Sequence, residues 1–494
     1  MEPASKAGRA DNAARRVRKS NTEDRLAKLR EFLQTHHVKA KGPKNFEAFE
    51  QELHSRLMAF EREIIAEEMV TLDVDAPAIV LQGRVHRRVL RQSQTYMTSA
   101  GEVVVERWLY KDRADSKGKC VSPMELSLGI VGDFWTPRAA SQTLWVVSQM
   151  TPKKAAELFE RMGNMEPSRS SIDRLPRELS ETWEKQREAS EQALRDAFVL
   201  PDGTASIAVS LDGVLAPIDG GESPSQVRAE ALQEGRVSKG PAGYREAACA
   251  TVAFCDAEGE LLGAIRMARA PESKKLTLKQ KLVAEVAAVM QRNPALKLIK
   301  LADGAADNWE FLSSEALPEG LEALDFFHAS EHLHEAISSV YGHGTREGTY
   351  RYEELREKLR LEAQGVEKVI RALKHLANKH RGNSVLSREL AYFRKHRHRM
   401  NYATLTKQGL MIGSGVVEAA CKTLVAQRLK QSGMRWSVAG AQAILTPRSW
   451  DQSERFDEAW ALLAAAFHAE VTVFANVIAF KPKPDSHKKV SASR

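Results

Sequence analysis

The stretch from residue 207 to residue 217, IAVSLDGVLAP, alternates apolar residues with smaller or polar ones up to an aspartate followed by glycine. One parity carries Ile207, Val209 and Leu211, and the other carries Ala208, Ser210 and Asp212. A strand with two different faces produces this alternation. Asp-Gly alone is common turn chemistry. The pattern therefore predicts a strand that ends at Asp212, with the carboxylate on its less apolar face.

The segments after this strand predict the rest of a sheet. In chain order they are strands 205–212, 244–256 and 261–269, helix 276–292, strand 296–303, helix 308–317 and strand 323–328. The order strand-strand-strand-helix-strand-helix-strand is typical of a ribonuclease H-like domain, which is a mixed sheet flanked by helices. We therefore predict an α/β catalytic core of this class, with its first part in residues 201–328.

A second predicted strand also stops at Asp-Gly. In LKLIKLADG the apolar run ends at Asp303. In a ribonuclease H-like sheet this strand neighbours the strand of Asp212, and two carboxylates side by side repel each other unless a cation lies between them. Asp307 follows one helical turn after Asp303, so the choice between these two residues stays open.

A third carboxylate is expected on a later helix. Residues 329–411 predict a charged helical insertion, and residues 412–450 a final catalytic helix with a DNA-contacting segment. Glu418 falls in the first turn of that helix, with Ser414 as its N-cap. The helix dipole alone also favours a carboxylate there. However, residues 419–450 contain no acidic residue, and a carboxylate leading a basic stretch suits a metal site beside a DNA backbone.

Four residues of this stretch are predicted to contact DNA or to support the site: Lys422, Arg428, Arg435 and Trp436. Gly433 is expected to end the helix, which places the last two on the turn beyond it. Arginine can pair with a phosphate, and tryptophan can stack on an unpaired base. The alternative is that Trp436 packs in the core and Arg435 is solvated.

The chain before the core is predicted to be mainly helical. Residues 1–70 are interpreted as a basic tail and a helical region, 71–135 as a small mixed α/β subdomain, and 136–200 as helical. The last region resembles a helix-turn-helix, whose third helix could enter a major groove through Arg169, Ser170 and Arg174. A helical bundle with a solvated basic face is the alternative.

Charge and cysteine content limit the partners and cofactors. The formal charge of +8 comes from the two ends, because residues 1–20 hold six basic and two acidic residues and residues 481–494 hold five and one. Such tails suit phosphate contacts or simple solubility.

Four cysteines without paired spacing predict no zinc site. GRVSKGP has Pro241 where a P-loop needs lysine, so no ATP site is predicted.

The segment 451–494 is predicted to be a C-terminal helix followed by a basic tail. Its apolar stretch 459–480 is long enough to cross a bilayer but carries Glu470 at the middle. A buried helix is therefore predicted, with no membrane partner. The N-terminus has no apolar signal segment, which argues against secretion, and the unpaired cysteines fit a reducing cytoplasm.

Several motifs together resemble the DDE transposases of bacterial insertion sequences, most closely the Kra-type family. They are SLDG, LADGAADNW, DFFHASEHL, IGSGVVEAACK and RLKQSGMRWSVAGAQAIL. The similarity runs from about residue 80 to 465 and is strongest after residue 400. The resemblance implies that Asp212, Asp303 and Glu418 form the catalytic, metal-binding triad, with Mg²⁺ or Mn²⁺ as cofactor. It also implies cleavage at the element ends, strand transfer into target DNA and a homo-oligomer on DNA.

The resemblance extends to Asp325 and His328, which match an Asp/Cys-x-x-His element of several DDE groups. We interpret them as supporting the site or contacting DNA. Relatives often carry a cysteine-rich zinc element upstream, where this chain has Cys120 alone, so no zinc is expected. His328 and His332 share a helix face and could suggest a separate metal site, although histidines on an acidic helix need no metal.

Other functions remain in competition. His396 and Arg399 form the His-x-x-Arg of tyrosine recombinases, but no tyrosine nucleophile follows Tyr402. A DNA-binding regulator descended from a transposase would tolerate loss of the carboxylates. A ribonuclease H-like nuclease would cleave DNA without strand transfer.

Overall fold

A computed structural model describes residues 26–35, 42–112, 114–115, 117–219 and 243–473. The predictions for the two basic tails and for GRVSKGP lie outside these residues. The described chain forms two units. The first takes the described parts of Met1–Thr143, Lys153–Ile172 and Ala464–Arg494, and the second takes Leu144–Pro152 and the described parts of Asp173–Leu463.

The first unit combines helices with an antiparallel hairpin. Its elements are helices 26–35 (α1) and Pro43–Thr71 (α2), strands Ala78–Leu81 (β1), Arg84–Thr98 (β2) and Gly101–Asp112 (β3), and helix Pro123–Leu128 (α3). Along the first half of β3 buried and exposed residues alternate, as the period of a strand with one covered face requires. The region predicted as a small mixed α/β subdomain thus contains strands as well as helix α3.

Three helices follow, as predicted, but the third is much longer than expected. They are Pro137–Gln149 (α4), Pro152–Met162 (α5) and Arg169–Ala197 (α6). α4 and α6 each run from one unit into the other. Residues 136–200 are thus mainly helical, and α6 continues past Pro176 to Ala197. Arg169, Ser170 and Arg174 are exposed on its first two turns.

The second unit contains a five-stranded mixed sheet. Its elements are strands Ser206–Ala216 (β4), Ile218–Asp219 (β5), Arg245–Cys255 (β6) and Leu261–Arg269 (β7), helix Leu276–Arg292 (α7), strand Lys297–Ala302 (β8), helix Ala306–Leu312 (α8) and strand Leu321–Leu324 (β9). The sheet order is β7-β6-β4-β8-β9, with β6 antiparallel to β4 and β7, and with β8 parallel to β4 and β9. The prediction of a mixed α/β core is confirmed at this level.

Strand β4 does not end at Asp212, so that prediction is wrong. Its pairing with β6 continues through Asp212, opposite Cys249, to Ala216. Asp-Gly makes no turn here because the antiparallel ladder holds both residues in extended backbone. The parallel ladder with β8, in contrast, ends at Ser210. Asp212 therefore lies just beyond the end of the parallel half of the sheet.

The insertion is helical, and it begins earlier than predicted. β9 ends at Leu324 because the side chain of Asp325 caps the next helix, so the strand predicted at 323–328 is too long. The helices are Phe326–Tyr341 (α9), Arg346–Leu361 (α10), Gly365–Lys379 (α11), Ser384–His396 (α12) and Tyr402–Lys407 (α13). Their buried side chains join those of β4 and α7 in one core.

The last described part of the chain contains a helix that contacts β4, β6 and β7, followed by shorter elements. Helix α14 comprises Gly415–Ala420, a π-helical turn Cys421–Ala426 and Gln427–Leu429. Then follow strand Trp436–Ser437 (β10), helices Val438–Asp451 (α15) and Phe456–Ala465 (α16), and strand Thr472–Val473 (β11). β10 pairs with β5, and β11 pairs with β1.

The helix predicted over 459–480 ends at Ala465, and Thr472 and Val473 lie in β11, so the prediction is wrong over residues 466–473. Its remaining part, 474–480, lies outside the described residues. Among the described residues, no helix combines the length and the apolar character that a membrane span requires.

Gly409 fixes the segment that leads from the insertion to α14. Its φ is +68°, and a Cβ at this position would lie 1.8 Å from the carbonyl oxygen of Ala257 in the turn between β6 and β7. We expect Gly409→Ala to lower the thermal unfolding midpoint because it adds this overlap to a left-handed backbone cost of roughly 1–2 kcal/mol. The matched control is Gly382→Ala, at φ +96° with open space around the Cβ. Equal losses in the two variants would contradict the packing of this segment.

Candidate functional site

Two of the predicted carboxylates lie side by side because of the register of the parallel ladder. Ser210 of β4 pairs with Leu301 of β8, so Asp212 and Asp303 each stand two residues beyond the last paired position. Residues in register on parallel strands point to the same face, and neighbouring strands are roughly 4.8 Å apart. The structure therefore brings Asp212 and Asp303 together at the carboxyl edge of the parallel strands.

The electrostatics of Asp212 reflect this proximity. Burial is the largest cause that raises the pKa of Asp212, and the charge of Asp303 raises it further. The backbone N–H of Gly213, which donates to the Asp212 carboxylate at 2.7 Å, partly offsets both effects. The charge of Asp303 thus disfavours the ionised form of Asp212, as expected for neighbouring carboxylates.

Asp303 is held by its own loop and by Asn308. Its Oδ1 accepts from the backbone N–H of Ala305 at 3.0 Å and lies 3.4 Å from Nδ2 of Asn308. The same amide donates to the carbonyl of Leu211 at 3.2 Å. Asn308 is buried, so it ties α8 and Asp303 to β4 next to Asp212. Asp307, the competing carboxylate, is exposed on the first turn of α8.

Glu418 lies in the first turn of α14, as predicted, and its side chain is 44% exposed. Ser414 stands at the N-cap position, but its hydroxyl donates to Glu418 Oε1 at 3.0 Å and makes no capping bond. The capping role predicted for Ser414 is therefore wrong. The hydroxyl orients the carboxylate instead.

Asp325 is buried and links two segments of the chain by the hydrogen bonds that we call the Asp325 clamp. It caps α9 by accepting from the backbone N–H of His328 at 2.6 Å, and its other oxygen accepts from the backbone N–H of Ser414. Burial raises the pKa of Asp325, but these hydrogen bonds outweigh it and hold the pKa below 3.8. A Cβ on Gly413 would lie 2.7 Å from the ring of Phe327. The clamp and this close approach join the start of α9 to the segment that presents Glu418.

His328 is the common neighbour of the carboxylates. Its Nδ1 lies 3.4 Å from Asp325 Oδ1 and 3.9 Å from Glu418 Oε1. The hydrogen bond with Asp325 is the largest cause that raises the pKa of His328 to about 9, and Asp303 contributes through its charge. His328 in turn lowers the pKa of Asp212. A protonated imidazole therefore partly balances the negative charge of the site.

Two sets of residues compete as a metal centre. Among the described residues, ligand atoms within 4.8 Å of one another occur in Asp325, His328 and Glu418. The Asp325 oxygens, however, already accept from His328 and Ser414, so a cation there would break the clamp. Asp212, Asp303 and Glu418 offer only carboxylate oxygens, which Mg²⁺ and Mn²⁺ prefer, and the first two repel each other. The donor types of this second set suit such a cation, but its ligand atoms do not all lie within 4.8 Å of one another in the described part of the chain.

The residues predicted to contact DNA divide into two groups. Lys422 and Arg435 are exposed. Arg428 is 1% exposed and donates to the carbonyl of Val147, so the DNA-contacting role predicted for it is wrong. Its guanidinium lies 4.9 Å from the ring of Trp436, and burial lowers the Arg428 pKa to about 10.

Trp436 packs against the protein rather than standing free on a turn. Its indole N–H donates to the carbonyl of Leu429 at 3.1 Å, and its ring packs against the core formed by β6, α14 and α15. The helix ends at Leu429, four residues earlier than predicted, and Gly433 lies in the following turn with φ +75°. These contacts agree with the alternative prediction, in which Trp436 packs against the core.

Tyr392 of α12 reaches the site from the insertion, and sequence reasoning missed it. A Cβ on Gly304, next to Asp303, would lie 2.7 Å from its ring. Its hydroxyl is buried without a hydrogen-bond partner in the described part of the chain. Burial, then the charges of Asp303 and Asp325, raise the pKa of Tyr392. A separation of 88 positions between Gly304 and Tyr392 leaves no local sequence signal for this contact.

Cys421 also belongs to the site without having been predicted. Its thiol donates to Asp212 Oδ2 at 3.7 Å. Its contact with the Cys249 thiol, together with burial, raises the pKa of Cys421, so the thiol stays neutral beside the carboxylate. The π-helical turn that begins at this residue, a feature often found at functional sites, brings it to Asp212.

The other histidines considered in the sequence, and Arg399, make contacts inside the protein. His332 makes a 2.5 Å contact with the buried Glu389 and stacks on Tyr392 at 3.7 Å between ring centroids. His396 is buried. Arg399 donates to Glu322 at 2.6 Å and stacks on Trp309 at 3.9 Å. These residues pack the insertion against the sheet.

Comparison of the chain with protein-family models and with curated proteins finds no match. The function is therefore argued from the geometry of the site.

The raised pKa of His328 predicts how stability depends on pH. Since the folded-state pKa of about 9 lies above the ordinary 6.5, the contribution of protonated His328 is fully present below about pH 6.5 and is lost as pH rises through about 9. We expect the unfolding midpoint of the wild type, measured in a chelator, to exceed that of His328→Gln most at pH 6. The difference should shrink by pH 10. A difference that does not change over this range would contradict the assigned Asp325–His328 pair.

Arg428 and Arg435 should behave oppositely on substitution. Arg428→Ala leaves the buried carbonyl of Val147 unpaired, which alone costs roughly 1–3 kcal/mol, and also uncovers the ring of Trp436. We expect a clearly lower unfolding midpoint for this variant and an unchanged one for Arg435→Ala, which alters an exposed side chain. Similar midpoints for the two variants would show that Arg428 is not a structural residue.

Proposed function

We propose that this chain is a DNA transposase of an insertion sequence, which cleaves DNA at the element ends and transfers the strand into target DNA. The observation that carries the proposal is the convergence of Asp212 and Asp303, in register on parallel strands, with Glu418 on a helix beside them. Two carboxylates at one edge of a mixed sheet, with a third on a helix that contacts β4, suit metal-dependent phosphodiester chemistry.

The topology supports a ribonuclease H-like assignment of the core. The first strand of the core, β4, lies at the centre of the sheet, two antiparallel strands extend to one side, and two parallel strands extend to the other. Glu418 follows a helical insertion placed between the fifth strand and the final helix. This arrangement agrees with the resemblance to Kra-type DDE transposases, on which the strand-transfer part of the proposal rests.

In this proposal Asp212, Asp303 and Glu418 hold Mg²⁺ or Mn²⁺. Such cations would supply the activation of a water or a DNA 3′-hydroxyl and the stabilisation of the leaving oxygen. Asn308 sets the position of Asp303 against β4, and Ser414 orients Glu418. The Asp325 clamp keeps Glu418 near the sheet.

DNA is the proposed partner, both as element end and as target. Lys422 and Arg435 are exposed on the chain after Glu418, where they can neutralise backbone phosphates. Exposed Arg169, Ser170 and Arg174 on α6 remain the proposed contacts to the terminal repeat. A homo-oligomer on DNA and a place in the bacterial cytoplasm at the nucleoid complete the proposal.

The carboxylates provide the direct test. We expect Asp212→Asn, Asp303→Asn and Glu418→Gln each to reduce Mg²⁺-dependent cleavage of duplexes from the gene's flanking inverted repeats by at least about 10³-fold, because each removes a metal-binding charge. The matched control is Asp307→Asn, one helical turn from Asp303 and exposed, which should cleave normally. Unfolding midpoints of all four variants would show that the fold is retained.

The outcomes separate the competing functions. Cleavage lost in Asp307→Asn but kept in Asp303→Asn would move the second carboxylate to Asp307. Cleavage without joining of the 3′-end to a plasmid target would favour a ribonuclease H-like nuclease. Sequence-specific DNA binding with no cleavage by the wild type would favour a regulator descended from a transposase.

A further inference from the structure

The helical insertion contains a cavity of about 440 Å³, which we call the insertion groove. It lies between α10 and α11 and is closed at its floor by the C-terminal end of α9. Its apolar lining consists of Ile337, Leu355, Ala372 and Leu376, and Tyr341 adds an aromatic ring. Its polar lining consists of Arg351, Glu354, Lys358, Lys368, Arg371, His375 and Lys379.

Helical periodicity puts these cations on one side of the groove. Arg371, His375 and Lys379 recur every four residues on α11, so they form a stripe with successive Cα atoms about 6 Å apart along the helix axis. Arg351 and Lys358 form a similar stripe on α10. Val369 and Leu373 of α11 do not line the groove and are buried in the core that the insertion shares with the sheet. The packed face holds the cationic face in a fixed orientation.

The charges of the groove are not balanced within it. The lining carries five Lys and Arg residues and one Glu, which leaves a formal +4. Glu354 is shared by Arg351 at 2.9 Å and Lys358 at 2.6 Å, and Lys368 pairs with Glu362. Among the described residues, Arg371, His375 and Lys379 have no ion pair, and all three are exposed. This stripe is therefore available to an anionic ligand.

We propose that the insertion groove binds the phosphate backbone of a DNA strand through the stripe of Arg371, His375 and Lys379. A chain of phosphates satisfies a row of regularly spaced N–H donors that includes two positive charges, and arginine can bind a phosphate with two parallel hydrogen bonds. Tyr341 and the apolar floor offer a surface for a sugar or an unpaired base. The inference deepens the proposed function and rests on it only for the position of the cleavage point.

The position of the groove along α9 sets a scale on the DNA. Ile337 lies 12 residues after Asp325, which corresponds to about 18 Å along a helix. At roughly 3.4 Å per nucleotide along a duplex, this distance corresponds to about five nucleotides. The phosphates bound in the groove are therefore expected about five positions from the phosphate that is cleaved.

The first measurement is the salt dependence of binding to a 30-base-pair duplex of arbitrary sequence, with full-length protein and a chelator present. We expect Arg371→Gln/Lys379→Gln to bind more weakly and to reduce the slope of log K against log salt by about two, or about 0.9 for each lost phosphate contact. The matched control is Lys374→Gln/Arg381→Gln, which removes one Lys and one Arg at exposed positions outside the lining. Unfolding midpoints of both variants establish that they fold.

The results separate this inference from the proposed function. If the slope falls equally in both double variants, or in neither, the groove is not the DNA-binding site. The inference is also overturned if the wild type binds poly-glutamate as tightly as it binds the duplex. If the slope falls only in the groove variant, the groove binds DNA, whether or not the wild type cleaves DNA. A wild type that cleaves no DNA counts only against the proposed transposase function. On cleavable ends, ethylation of phosphates about five positions from the cut should impair binding of the wild type but not of the groove variant.

Discussion

The register between β4 and β8 is the constraint on which the rest of the site depends. It sets Asp212 beside Asp303 on one face, where the charge of Asp303 raises the pKa of Asp212. A folded chain keeps such a pair only where the surrounding groups hold it, and here neutral donors surround the two carboxylates. The Gly213 N–H and the Cys421 thiol bind Asp212, and the Ala305 N–H and the Asn308 amide bind Asp303. These donors orient the oxygens without cancelling the charge that a divalent cation requires.

The third carboxylate is positioned indirectly. Glu418 comes from a helix that follows the insertion, so its position depends on how the two ends of the insertion meet. Asp325 at the start of α9 and Ser414 just before α14 are joined by a buried hydrogen bond, and the backbone of Ile412 accepts from Phe326. Because both ends are fixed, the intervening helices can carry their own surface charges without disturbing the triad.

Local patterns in the sequence predicted the elements whose residues are periodic. Helix α7 and strand β7 have the predicted bounds, and the order of the five strands follows from alternation and turn residues alone. The errors arise where tertiary pairing overrides a local signal. Asp212-Gly213 looks like a turn, but the ladder with β6 keeps it extended. Arg428 looks like a surface cation in a basic stretch, but the carbonyl of Val147, 281 positions away, accounts for its burial.

The residues that the sequence could not indicate share one property, which is that their partners are distant. Asn308 acts through the carbonyl of Leu211, and Tyr392 acts through the space that Gly304 leaves beside Asp303. Both bring a side chain from a helix to the edge of the parallel strands, and Tyr392 comes from the insertion itself. The buried core common to the sheet and the insertion therefore has a chemical consequence. It fixes an aromatic ring and an unpaired hydroxyl against the carboxylates on one side of the insertion while the opposite surface carries the cations of the groove.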